Sequence, residues 1–308
     1  MNTIVSEEPQ ALSTYPSAQT PRHRPSSWAV AWDVLRRRPT GLLGLAILLF
    51  FIGMAAFGPL FYPAELPSNP SNIFAGPSPA HPLGTDFQGT DTLALVITGS
   101  RYVLLSAFLA GLFTAVFGTV TGLISGYYLG VPDSIITKLA DFVLTIPSFP
   151  LLVVLSTVWK FGSPLAMGLV LGLIGWGALA RAVRSQVLTL RERTFIEAAR
   201  GLGFSSVHII VKEIFPNITS YVAMKFLLAV TGAIYASVAL FFLGVLPLST
   251  NNWGVMLQFA FSQAGAMYTT QSLPYLLAPL ACILLVTFGV VLFLDAVDEM
   301  LNPRLRRG

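Results

Sequence analysis

The sequence predicts an all-α polytopic membrane protein with six transmembrane helices. Three observations carry that prediction. First, the 308 residues are 54% hydrophobic and only 10% charged, with a mean hydropathy of +0.72. A soluble domain carries about 25% charged residues, so here the apolar surplus must face lipid. Second, six apolar runs each approach the ~20 residues that a helix needs to cross a hydrocarbon core of about 30 Å. Third, the basic residues lie almost wholly on one side of those runs.

In chain order, residues 1–27 are polar and rich in Ser, Pro and Thr. They lack the short apolar core of a cleavable signal and are expected to form a disordered cytoplasmic tail. Over 28–40, Trp28, Trp32 and Leu35 recur at helical spacing just before Arg36, Arg37 and Arg38. That pattern fits a helix lying in the headgroup layer, or a charge cluster that orients the first span. The spans themselves are read as Gly41 to Tyr62, Tyr102 to Gly126, Leu139 to Val158, Pro164 to Ala180, Ser220 to Leu246 and Pro274 to Leu294. Barrel strands alternate in polarity and these runs do not, so a helical bundle follows. Residues 63–101 form an extracytoplasmic loop, and 102–308 a core of five helices with a cytoplasmic loop at 181–219.

Orientation follows from the cations. With the amino terminus inside, the cytoplasmic side receives Arg22, Arg24, Arg36, Arg37, Arg38 and Lys138. It also receives Arg181, Arg184, Arg191, Arg193, Arg200, Lys212, Arg304, Arg306 and Arg307. Only Arg101 and Lys160 fall outside, with Lys225 at the inner end of the fifth span, so both termini are expected to be cytoplasmic.

Several features need a choice between structure and chemistry. Pro147 and Pro150 interrupt the third span, and a broken helix is tolerated in a membrane where it is buried in protein or lines a cavity. Gly111, Gly118, Gly122 and Gly126 give the second span a small-residue packing face. Asp141 is a candidate proton relay, because a carboxylate at the bilayer centre costs about 2.5–3.5 kcal/mol. Its place near Lys138 and the interface favours a structural pair or cap instead. Asp295 ends the last span and is expected to meet water. Asp86 and Asp91, with Gly84, Thr85 and Gly89, offer two carboxylates where calcium takes six or more oxygens. A turn-rich loop that caps backbone groups before the second span is the better reading. Asn217-Ile-Thr falls in the cytoplasm and is a glycosylation acceptor only as a string.

Enzyme chemistry finds little material here. No GxxxxGK[ST] loop supplies a phosphate cradle. His23, His81, His208 and Cys282 are too few and too scattered for a nucleophile–base pair, a metal cluster or a disulfide framework. The basic side is a topology signal and not a nucleic-acid stripe. The chain is therefore expected to be no enzyme and to hold no cofactor or metal.

The loop from Arg181 to Thr219 is far longer than neighbouring helices need. Val183, Val187, Leu190, Phe195, Ala198 and Ala199 keep an approximate helical stripe, which Gly201 and Gly203 interrupt. A second helix restarts after Ser205 or Ser206 and runs through Val207, Ile210, Val211 and Ile214 to Pro216. Small residues at Ala198, Ala199, Gly201 and Gly203 let another protein's backbone approach, and Phe204 is an apolar knob beside them.

The stretch EAARGLGFSSVHIIVKEIFPN resembles the EAA loop of ABC importer permeases, with Glu197, Ala198, Ala199, Gly203, Ile214 and Pro216 matching and Phe215 in place of Leu. HPLGTDFQGTD, from His81 to Asp91, is similar to the external segment of dipeptide, oligopeptide and nickel permeases, with Thr90 replacing Arg. SGYYLG, the Asp141 and Pro147 of LADFVLTIPSF, the Trp176 and Arg181 of WGALARAVRSQVL, FFLG, NNWGVML and NPRLR look like the same subfamily. Departures are Ser237 where Glu is frequent, Asp298 for Arg and Asn302 for Asp.

The resemblance implies the type I ABC importer permease fold. It further implies a homologous second permease subunit, two ABC ATPase subunits that bind ATP and Mg, and an extracytoplasmic substrate-binding protein. Glu197, Ala198, Ala199, Gly201, Gly203, Phe204 and Pro216 would form the ATPase-coupling surface. Pro147, Pro150 and Ser237 would lie on the pathway, and Asp141 and Arg181 would be structural. Peptides are the commonest cargo of such permeases, with nickel chelates and oligosaccharides as alternatives. An ion-coupled secondary transporter using Asp141 competes with this reading, but leaves the forty-residue loop unexplained.

Overall fold

The computed structural model describes residues 33–62, 66–159, 161–249, 251–263, 270 and 272–301. Trp28, Trp32, Lys160, Asn302, the tail at 1–27 and the arginines beyond 302 lie outside them. Besides a helical stretch at 33–37 and a 3₁₀ turn at Pro70–Asn72, nine helices organise the described residues: α1 (Pro39–Phe61), α2 (Thr92–Tyr128), α3 (Gly130–Thr145), α4 (Ser148–Val158), α5 (Pro164–Arg191), α6 (Thr194–Gly201), α7 (Ser206–Phe242), α8 (Trp253–Ser262) and α9 (Leu273–Leu301). Helices α1, α2, α5, α7 and α9 are each long and apolar enough to cross a membrane. The expected third span is a bent pair, α3 and α4, with 83° between its halves. It begins at Gly130, before the expected Leu139, and breaks at Pro147, whose ring cannot continue the ladder of α3.

Helix α2 is the hub and packs most extensively on α5, then on α7. The close approach to α5 depends on glycine at two levels. A Cβ on Gly122 would lie 2.7 Å from both the Ala180 carbonyl oxygen and Val183 Cβ, and one on Gly126 would lie 2.7 Å from Val187 Cβ. From the other side, Gly168 and Gly172 receive Leu109 and Phe113 of α2. Backbones this close gain dispersion contacts that lipid tails cannot supply, which is what holds membrane helices together. Gly111 departs from the expected single face and meets Val230 of α7. Helix α1 packs on α9 through Gly44, against the Gly289 carbonyl and Phe293 N, both 2.7 Å from its would-be Cβ. An Arg38–Glu299 ion pair ties the same two helices at one end.

Ahead of α2, the loop residues turn and cap. Asp91 accepts from Ala94 N at 2.9 Å to start the helix, and its other oxygen meets His81 Nδ1 at 2.7 Å. Buried Asp86 accepts from the N–H groups of Gln88 and Thr90, both at 2.8 Å. Burial pushes its carboxyl above the ordinary range, and those backbone donors oppose the shift. Capping thus starts α2 at Thr92, ten residues before the expected span. Gly89 has φ +75°, and a Cβ there would lie 1.9 Å from the Asn69 carbonyl oxygen. Gly89→Ala is expected to destabilise this loop by about 1–3 kcal/mol, read as faster limited proteolysis between residues 66 and 91 of the purified protein with the spans intact.

Helix α8 was not expected. Asn252 caps it, accepting from Gly254 N at 2.9 Å and Val255 N at 3.1 Å. The fully buried Trp253 donates from Nε1 to the Val96 carbonyl at 3.0 Å.

Candidate functional site

Helix α5 runs eleven residues past the expected end of its span, to Arg191. Arg193 then leaves helical geometry (φ −82°, ψ 143°), which resets the phase of the next turn. The reset decides what faces inward. Ile196 and Ala199 are buried, 0% and 6% exposed, against Val183, Val187, Ile209, Ile214 and Ile218. Phe195 and Ala198 point outward. The continuous stripe expected from the sequence is therefore split: Ala199 belongs to the inner face, whereas Glu197, Ala198, Gly201, Gly203 and Phe204 are exposed.

Helix α6 ends in a Schellman motif: Phe204 N donates to the Ala199 carbonyl at 3.2 Å and Gly203 N to the Arg200 carbonyl at 3.0 Å. Gly203 supplies the left-handed residue, φ +80°, that this closure needs. Ser205 restarts the helix, its hydroxyl accepting from His208 N at 3.3 Å, and the Phe204 ring stacks on His208. The second helix does not stop at Pro216, as the sequence suggested. A π segment, Ile209–Ile214, widens the turn just before the proline, and the helix continues through it as the fifth span. A proline clashes with the carbonyl four residues back, and the wider turn relieves that clash.

The outcome is an apolar knuckle. Leu202 is 76% exposed, Val207 66%, Val211 50% and Phe204 46%, with Arg193, Glu197, Arg200 and Lys212 exposed around them. Its base is fixed. Arg191 donates to the Tyr127 carbonyl at 3.2 Å, and the Arg200 guanidinium lies 5.4 Å from the Tyr127 ring centroid. Arg184 grips Asp133 of α3 through Nε and Nη2, each at 2.6 Å, while Ser125 and Thr137 donate to the same carboxylate. The knuckle is thus tied to the ends of α2 and α3.

Sequence reasoning missed the outward role of Leu202, Val207 and Val211. The signal was available: Val207 and Val211 form a second apolar stripe beside Ile210 and Ile214, and two apolar faces on one polar-flanked helix leave one unpartnered. No sequence spacing announces the Asp133–Arg184 pair.

The other candidates separate. Pro147 and Pro150 sit exposed on the α3–α4 elbow. Ser237 is fully buried within the chain's own core, with no partner for its hydroxyl among the described residues. It faces inward because Ile234, Val238 and Phe241 share its side of α7, so it lines no open space. Asp141 pairs with Arg181 of α5, not with Lys138.

Residues 118–307 match the family described as binding-protein-dependent transport system inner membrane component, and residues 26–77 match the N-terminal transmembrane domain of oligopeptide transport permease C. The chain is 33% identical to the dipeptide transport system permease protein DppC of Alkalihalophilus pseudofirmus, over 91% of each chain. It is 28% identical to the oligopeptide transport system permease protein OppC of Bacillus subtilis, over 97% of each. It is also 28% identical to the glutathione transport system permease protein GsiD of Pectobacterium atrosepticum, over 91% of this chain and 92% of that one. A helical bundle of five apolar spans and one broken span, agreeing in sequence over nearly its whole length with these permeases, belongs to the inner-membrane components of binding-protein-dependent ABC importers, among the OppC- and DppC-like permeases.

Proposed function

We propose that this chain forms half of a peptide translocation pathway and takes its driving force from ATPase subunits docked on the 194–211 knuckle. One observation carries the reading: Leu202, Phe204, Val207 and Val211 expose a compact apolar patch on a base fixed to the end of α2. A patch of this kind, rimmed by charge, marks a protein interface. ATP and Mg belong to two partner ATPases, and the chain itself catalyses nothing. A homologous permease completes the pathway, and an extracytoplasmic binding protein delivers the cargo. The knuckle, both termini and most arginines lie in the cytoplasm. Peptides are the cargo, in keeping with the dipeptide, oligopeptide and glutathione systems of its relatives.

The test is uptake into proteoliposomes holding the complete transporter, supplied with labelled di- and tripeptides, a nickel chelate and an oligosaccharide. ATP-dependent peptide uptake that an uncoupler leaves unchanged is expected. Uptake driven by an ion gradient without ATP would establish an ion-coupled transporter instead.

A further inference from the structure

Helix α7 buries one side in the core and leaves another partly open. Ala233, Ile234, Ser237, Val238 and Phe241 are buried. On another side Tyr221, Lys225, Leu228, Gly232 and Tyr235 recur every three or four residues, which places them on one stripe; Tyr221 rests against the Ile214–Ile218 core at its inner end, and the Tyr235 hydroxyl meets Thr287 Oγ1 of α9 at 2.9 Å. Tyr235 is 46% exposed, and a Cβ on Gly232 would meet nothing within 4 Å. The open faces of α1 and α9 are different: Leu49, Phe50, Ile52 and Phe57 on one, Leu277, Leu284, Leu285 and Phe288 on the other. Those suit lipid. A stripe with a lysine and two phenols does not.

Depth sharpens the contrast. The neighbour of Lys225, Phe226, meets Phe108 edge-on and approaches Gly111 of α2. Along α2, Arg101 marks one polar boundary, and Gly122, packed on Ala180 beside Arg181, marks the other. At 1.5 Å per residue these lie about 31 Å apart, a hydrocarbon thickness. Gly111 falls midway and its nearest backbone neighbour on α7 is Val230, so Lys225, five residues back, lies about 8 Å to the cytoplasmic side of the midplane and still inside the hydrocarbon layer. Its ammonium folds over the Tyr221 ring, 5.5 Å from the centroid, and among the described residues no carboxylate pairs with it. A lysine inside the hydrocarbon layer is costly on a lipid face, and such residues mark substrate pathways.

We propose that the Tyr221–Tyr235 stripe faces the translocation pathway and that Lys225 binds the carboxylate of the passing substrate, the C-terminal carboxylate of a peptide. The inference rests on the peptide-importer reading above. An ammonium offers three donors and no acceptor, so it selects an anion, and the free C-terminus is the anion that all linear peptides share. One charge-assisted contact is strong enough to orient the cargo and weak enough to release it.

The test uses the complete transporter in proteoliposomes, with a neutral-side-chain tripeptide and its C-terminal amide, each at a concentration that saturates the binding protein. Lys225→Met is expected to slow uptake of the free acid roughly tenfold, the loss of one hydrogen bond to a charged group, while amide uptake changes less than twofold. Lys225→Arg restores the acid. Equal loss of both peptides, or loss of neither, overturns the carboxylate role. Wild-type transporter that carries no peptide at all overturns the peptide reading, and this inference with it. A second measurement guards against misfolding: in a Cys282→Ser background, Lys225→Cys is expected to react with an anionic, water-soluble thiosulfonate. The tripeptide is expected to slow that reaction, and Phe288→Cys is expected to stay unlabelled. A Lys225→Cys thiol as inert as Phe288→Cys places the stripe against lipid or a dry partner interface and ends the proposal.

Discussion

Gly203→Trp is expected to abolish ATP-driven uptake while leaving the protein in the membrane at wild-type levels. Two effects combine. Gly203 holds φ +80°, where a bulky side chain such as tryptophan is strained, so the Schellman closure that aims Leu202 and Phe204 must distort. A Cβ there would also point into open space, so the indole projects from the knuckle onto whatever docks on it. Interface anchors are worth about 2–4 kcal/mol each, and losing one such anchor weakens ATPase association roughly 30- to 1,000-fold. Co-purification of the ATPase and substrate-stimulated ATP hydrolysis are the readouts. Gly203→Asn is the control, because asparagine tolerates the left-handed conformation and adds little bulk. Intact uptake in Gly203→Trp would remove the knuckle from the coupling role.

Gly122→Leu is expected to have the larger effect on the fold itself. Its Cβ alone would sit 2.7 Å from the Ala180 carbonyl oxygen, a backbone atom of the most extensive helix contact in the molecule. No rotamer relieves that clash, so α2 and α5 must separate along the Gly118–Gly126 face and lose contacts on both sides. A loss of at least ~3 kcal/mol is expected, or roughly 5–10 °C of Tm in detergent. Gly53→Leu on α1 is the matched control: a Cβ there meets nothing within 4 Å, and no change is expected. Equal Tm values for the two variants would show that the α2–α5 contact is not what sets stability.

How much of this was legible in the sequence depends on the length scale of the signal. The spans were, because each is a run of some twenty apolar residues, as was the helix, glycine turn, helix order of 194–216. The inner face of that segment was not. Its phase depends on one non-helical residue, Arg193, and a single break moves Ala199 from the outside to the inside. Pro216 looked like a stop because a proline in a regular helix is one, whereas six residues of π geometry absorb it. Ser237 was placed on the pathway by resemblance alone. The face it occupies is fixed by Ile234, Val238 and Phe241, and a moment along α7 dominated by apolar residues on all sides gives no warning of it.

The π segment has a mechanical meaning because α7 does not end there. From Ser206 to Phe242 it is one rod about 55 Å long at 1.5 Å per residue, and Val230 lodges against Gly111 about two-thirds of the way along it. A rod pinned there is a lever with arms of unequal length. A displacement of roughly 5 Å at the knuckle turns it by about 8° and swings the far end the opposite way by about 2–3 Å. The wide π turn Ile209–Ile214 lies between the knuckle and the pinned span, so how far a push at the knuckle tilts the helix depends on how stiff those six residues are.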